Sequence, residues 1–128
     1  MTSEKMRILI VADDVQLAQS LAAMIEAAGG YAVCVLHSAA DVVAAAIACP
    51  PAIAFLDVEL SGGSAHAVAL RFRQHVLLQA TRLIALTANI ELSDREFARA
   101  AGFERYLVTP VTTNELHKVL RRRTSIAA

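Results

Sequence analysis

Short apolar runs alternate along this chain with longer segments in which apolar residues recur every three or four positions. The runs Arg7 to Ala12, Tyr31 to Leu36, Ala52 to Leu56, Leu83 to Leu86 and Tyr106 to Val108 are rich in branched residues and bounded by turn formers. Apolar character that is nearly continuous over so few residues predicts strands buried on both faces. Leu17, Leu21, Met24, Ile25 and Ala28 mark the stripe of a first helix, and Gly29-Gly30 end it as C-terminal glycines do. Ser38 caps a predicted second helix, Ala39 to Cys49, which Pro50-Pro51 stop. A third helix follows Ser64 and runs through Val68, Leu70, Phe72 and Val76. Ser93 with Glu96, and Thr112 with Glu115, have the spacing of a reciprocal capping box and start a fourth and a fifth helix. Arg121 to Arg123 put positive charge at the end of the last one, where the helix dipole favours it.

Five strands alternating with five helices predict an α/β domain whose right-handed crossovers cover both faces of a parallel sheet, a three-layer (βα)5 sandwich. The expected strand order is 2-1-3-4-5, which reverses between the first and third strands; ligands of such sheets bind beyond the strands' carboxyl ends at that reversal. At 128 residues the chain fits a single domain, with a core over about residues 6–123.

Composition narrows the function. Twelve basic and twelve acidic residues cancel, so there is no basic field to hold nucleic acid and no acidic tail. The longest greasy stretch, Val42 to Leu56, is broken by Pro50-Pro51 and falls short of the ~20 residues of a membrane helix. Cys34 and Cys49 lie in apolar surroundings outside any CxxC motif, which reads as buried thiols in a reducing compartment. The expectation is a soluble, cytoplasmic protein with no membrane and no direct nucleic-acid partner. His37, His66, His75 and His117 are scattered without metal-ligand spacing and are read as surface or capping residues.

Asp13 and Asp14 directly follow the first predicted strand, and Asp57 ends the third, its neighbour across the crevice. Singly, Asp14 reads as a helix cap and Asp57 as the start of a loop. Together they are harder to dismiss, because carboxylates ~4 Å apart repel by roughly 4 kcal/mol per pair at an effective dielectric of ~20. A hard divalent cation such as Mg²⁺, which takes oxygen ligands and keeps several waters, offsets that repulsion. It also lets an aspartate act as nucleophile toward a phosphoryl group. Thr87 ends the fourth strand with a hydroxyl that suits a phosphoryl oxygen, and Ala88 after it leaves room.

In this order the motifs ILIVADD, IAFLDVELSGGSA, LIALTAN and RYLVTP resemble the receiver domain of two-component response regulators over nearly the whole chain. The resemblance implies a flavodoxin-like fold and a phosphoacceptor at Asp57, charged by a histidine kinase or a phosphotransfer protein. It implies Mg²⁺ bound by Asp14, Asp57 and the Glu59 backbone carbonyl, with Asp13 acting through water. It further implies that Thr87 and Tyr106 move together as a switch. Output would be protein contact, with a downstream protein or as a homodimer, through the face of the fourth helix, fifth strand and fifth helix. The domain would not be an enzyme beyond autocatalytic phosphotransfer to its own aspartate.

Two positions depart from the family pattern. Ser61 stands where proline is frequent, and Thr109 stands where a nearly invariant lysine precedes proline. The only lysines are Lys5 and Lys118, neither well placed to substitute, and Arg82 and Arg105 begin strands at the opposite end of the sheet. Losing that ammonium removes a few kcal/mol of attraction, while a threonine hydrogen bond returns about 1. Thr109-Pro110 is a candidate cis peptide, since X-Pro bonds tolerate that form. Two rivals stay open. One is a pseudo-receiver that binds partners without phosphorylation, favoured by Thr109. The other is an Asp-nucleophile phosphatase, disfavoured because such enzymes need Asp-x-Asp and a lysine.

Overall fold

The computed structural model describes residues 5–60, 64–88 and 102–121. Ser61, the helix expected after Ser93, and Arg122 to Arg123 lie outside them. The described elements are β1 (Met6–Val11), α1 (Val15–Ala28), β2 (Tyr31–Leu36), a 3-10 turn (Ala39–Asp41), α2 (Val42–Ala48), β3 (Ile53–Asp57), α3 (Ala65–Gln74), β4 (Arg82–Thr87), β5 (Arg105–Val108) and α4 (Thr113–Arg121). α4 is the helix that the Thr112 capping box announces.

The strands form one parallel sheet in the order β2-β1-β3-β4-β5, as the alternation predicts. β1 and β3 are adjacent, with Val11 opposite Leu56, and this is where the strand order reverses. Successive side chains of a strand leave opposite faces. Leu9, Val11, Ala54, Leu56, Leu83 and Ala85 therefore join one core layer with α2 and α3. Ile8, Ile10, Ile53, Phe55, Ile84 and Leu86 join another with α1 and α4. Phe55 and Phe72, one in each layer, are fully buried.

The helix boundaries follow their caps. Asp14 caps α1, which ends where Gly29 (φ 81°) donates its amide to the Glu26 carbonyl at 3.1 Å; a residue with a side chain would be strained there. At α4 the capping box is reciprocal: Thr112 Oγ1 accepts from the Glu115 amide at 3.1 Å, and Glu115 Oε1 accepts from the Thr112 amide at 3.2 Å.

The structure corrects several expectations. β2 is an edge strand, so it alternates between partly buried and exposed residues rather than being covered on both faces. Cys34 points out of that uncovered edge, and Cys49 lies past the end of the short α2, so both thiols are exposed rather than buried. The second helix begins as a 3-10 turn capped by Ser38, and α2 proper stops at Ala48. The third ends at Gln74, because the apolar residues beyond it belong to a turn in which Leu78 is buried while Val76 is 78% exposed. Leu70, expected in the apolar stripe, lies on the outer face of α3. Among the described residues no helix is long and apolar enough to cross a membrane.

Thr112→Ala removes one side of the capping box and is expected to cost about 1 kcal/mol of unfolding free energy. Urea denaturation monitored by circular dichroism checks this.

Candidate functional site

Hydrogen bonding continues past the strand ends and sets where the carboxylates stand. The Ala12 amide donates to the Leu36 carbonyl at 3.0 Å, which keeps the chain aligned with β2 up to Asp13. Asp14 Oδ1 accepts from the amides of Gln16 and Leu17 at 3.0 and 3.2 Å, so its capping role holds and orients its carboxylate. Asp57 is the last residue of β3 and pairs with Leu86; the following Val58 amide donates to the Leu86 carbonyl at 2.9 Å. Asp57 Oδ1 accepts from the Glu59 amide at 2.9 Å.

Burial pushes the Asp57 carboxyl above its usual range. The Glu59 amide opposes this, but the negative charges of Glu59, Asp13 and Asp14 add to the upward shift. No positive side chain among the described residues counters it. Lys5 and Lys118 are exposed, and Arg82, at the start of β4, makes two 2.7 Å bonds to the Glu104 carboxylate at the opposite end of the sheet. Among the described residues no three Asp, Glu, His or Cys side chains gather into a metal cage. Any cation here would therefore need carbonyl and water ligands beside the carboxylates.

Thr87 ends β4 and is buried. Its carbonyl accepts from the Thr109 amide at 2.8 Å. The Thr109 hydroxyl lies 3.5 Å from the same carbonyl oxygen, at the outer limit of a hydrogen bond, and makes none to Asp57. The sequence suggested that this hydroxyl would help to balance the aspartates; it is turned toward the backbone instead. The Thr109-Pro110 peptide is cis.

Tyr106, the second residue of β5, pairs with Ala85 on β4, and Thr87 lies two residues further along that strand. The period of two puts Tyr106 and Thr87 on the same face of the sheet. Tyr106 is 8% exposed, and burial raises the pKa of its phenol.

Sequence reasoning missed two residues at this end of the sheet. His37 follows β2, and its Nδ1 lies 3.0 Å from the Ala12 carbonyl, next to Asp13. His66 lies in the first turn of α3, and its Nε2 is 2.6 Å from the Tyr106 hydroxyl. Scanning the histidines for metal-ligand spacing could not find them. The usable signal was topological: the first turn of a helix that follows a strand of a parallel sheet always lies at the carboxyl end.

A parallel sheet in this order, with carboxylates gathered where the order reverses, defines a doubly wound α/β domain with an acidic cleft at its switch point. The model of the response regulator receiver domain family matches residues 8–121, and the chain belongs to that family. A protein assigned as a response regulator from Chloroflexus aurantiacus J-10-fl is similar in structure, with a TM-score of 0.85, 28% identity and coverage of 92% of this chain and 96% of its own. The receiver domain of sensor histidine kinase PA1611 from Pseudomonas aeruginosa PAO1, with a magnesium ion coordinated in its active site cleft, gives 0.82, 26%, 91% and 95%. Chemotaxis response regulator CheY4 of Vibrio cholerae, at 20% identity and a TM-score of 0.82 over 91% of this chain and 97% of its own, shares the fold. No curated protein matches the sequence.

A carboxyl whose pKa is raised on folding adds stability below its unfolded value and loses it as pH rises through the folded one. Ionised Asp57 therefore weakens the metal-free protein at neutral pH. Asp57→Asn keeps an oxygen for the Glu59 amide, so it should raise the melting temperature at pH 7 without metal. The advantage should vanish as pH falls below about 4. Calorimetry across that range checks both statements.

Proposed function

We propose that the chain is a phosphoacceptor receiver domain that takes a phosphoryl group on Asp57 from the phosphohistidine of a histidine kinase or phosphotransfer protein. The observation that carries this reading is the Asp57 carboxyl itself: at the end of β3, raised by burial and by three neighbouring acids, with one oxygen already held by a backbone amide. The donor set suits a hard divalent cation such as Mg²⁺, held by the Asp14 and Asp57 carboxylates and the Glu59 carbonyl, with Asp13 acting through water. When bound, Mg²⁺ would offset the carboxylate charge and screen the incoming phosphoryl oxygens. The magnesium in the cleft of the Pseudomonas receiver domain supports this reading.

In the transfer, the Glu59 amide holds Oδ1 and leaves Oδ2 of Asp57 to attack phosphorus. The phosphorus–nitrogen bond breaks, its electron pair returns to the donor's ring nitrogen, and a neutral imidazole leaves from the ring that already carries a proton. The product on Asp57 is an acyl phosphate, and the Thr87 hydroxyl donates to one of its oxygens. Thr109 contributes no charge, so the residues of this chain stabilise the phosphoryl group less than a lysine there would. Thr87 and Tyr106, on one face of the sheet, form the route by which loading of Asp57 would reach the surface of β5 and α4. A downstream protein or a second copy of the chain would dock there. Residues 8–121 act as a cytoplasmic signalling domain whose chemistry is on its own aspartate.

Incubation with Mg²⁺ and acetyl phosphate should add one phosphate by intact mass, and Asp57→Asn should abolish it. No Asp57-dependent adduct, with acetyl phosphate or with beryllofluoride, overturns the reading. Thr109→Lys should weaken Mg²⁺ binding by roughly tenfold, because the ammonium competes for the same negative charge, and should speed phosphorylation. If Mg²⁺ titration and phosphorylation rate are both unchanged, the electrostatic account of position 109 is wrong.

A further inference from the structure

Just past the end of β1, a side chain of the neighbouring strand's exit takes the place of a backbone rung. Ala12, fully buried, is the last residue before the acidic pair. Its amide donates to the Leu36 carbonyl at 3.0 Å, continuing the register that pairs Val11 with Leu36. One step further, the same register would bring the Ser38 amide to the Ala12 carbonyl. Among the described residues no backbone amide donates there. Ser38 instead caps the 3-10 turn, its Oγ accepting from the Ala40 amide at 3.2 Å. The Ala12 carbonyl is met by the imidazole of His37, whose Nδ1 stands at 3.0 Å.

A carbonyl can only accept, so the ring must carry a hydrogen on Nδ1. The neutral imidazole is thereby fixed in one tautomer, and the imidazolium makes the same bond. The peptide unit that carries the Ala12 carbonyl also carries the Asp13 amide, and it is planar. Holding its oxygen therefore sets the direction in which the chain leaves β1 and the place of the Asp13 Cα. Two successive peptides, one with the Ala12 amide and the next with the Asp13 amide, are thus held by the successive residues Leu36 and His37. Asp14 is oriented by its own bonds to the Gln16 and Leu17 amides, so the leverage of the ring falls on Asp13.

We propose that His37 is a positioning residue of the acidic cleft: its imidazole takes the last rung between β2 and β1, fixes the Ala12–Asp13 peptide, and through it sets how tightly the cleft holds Mg²⁺. The effect on Mg²⁺ rests on the donor set proposed above; the hold on the peptide does not. Asparagine is the conservative variant, because its amide nitrogen, like Nδ1 of histidine, is bonded to Cγ. Glutamine carries its nitrogen one atom further out and leucine carries none.

In the metal-free wild type, nitrogen NMR should find the hydrogen of neutral His37 on Nδ1, and the residual dipolar coupling of the Asp13 N–H should fit the structure. His37→Asn should keep that coupling, while His37→Gln and His37→Leu should change it. A neutral ring protonated on Nε2, or a wild-type coupling in His37→Leu, overturns the hold on the peptide. In a Mg²⁺ titration followed by amide shifts, His37→Leu and His37→Gln should bind about tenfold more weakly than the wild type, and His37→Asn within about twofold of it. Equal affinity in all four proteins overturns the effect on the cleft, and so does equal weakening in His37→Asn and His37→Gln. A wild type that binds no Mg²⁺ refutes the donor set and with it the effect on the cleft, while the couplings still decide the hold on the peptide. Should His37→Leu fold poorly, the comparison of His37→Asn with His37→Gln carries the test.

Discussion

Like charge held together at one edge of a sheet is the constraint on which the rest of this domain depends. Asp13, Asp14, Asp57 and Glu59 are brought to the same cleft, and the charges of the other three act against ionisation of Asp57. The apolar strands behind them make this possible. Ile10, Val11, Phe55 and Leu56, just behind the acids on β1 and β3, are fully buried, each contributing roughly 1.5–3 kcal/mol relative to an exposed side chain. Asp13 and Asp14 are exposed, so water screens their repulsion well below its value in a dry site. Burial wins, and the residual strain is concentrated on the one half-buried carboxyl, Asp57.

The position of Asp57 and its resistance to ionisation thus come from the same arrangement. The β1–β3 pairing that aligns Val11 with Leu56 also sets the aspartates across the crevice from each other. The amide of Glu59 holds one oxygen of Asp57, while the charge of Glu59 acts against its ionisation. A site built this way concentrates negative charge at the switch point of the sheet.

Much of this was legible in the amino-acid order, because period and punctuation are local signals. The capping box Thr112/Glu115, the glycine stop after α1 and the alternation of strands with helices led directly to the sheet order. Exposure at the sheet's edge was less legible. Cys34 lies in an apolar run like those of the central strands, and only the place of β2 in the sheet exposes every second residue. The carboxylate cluster could be inferred from two strand ends, but the direction of the Thr109 hydroxyl depends on a backbone carbonyl from another strand. His66 escaped for the same reason: its partner is forty residues away, and no spacing rule joins them.

The bond from the Thr109 amide to the Thr87 carbonyl has a consequence of a different kind. It anchors the end of β5 through atoms that every residue except proline possesses, so the scaffold does not notice which side chain stands at position 109. The position works as an interchangeable socket: lineages can install a charge, a hydroxyl or nothing there without refolding the sheet. The charge beside the acidic cleft can then change one residue at a time, on an architecture that stays the same.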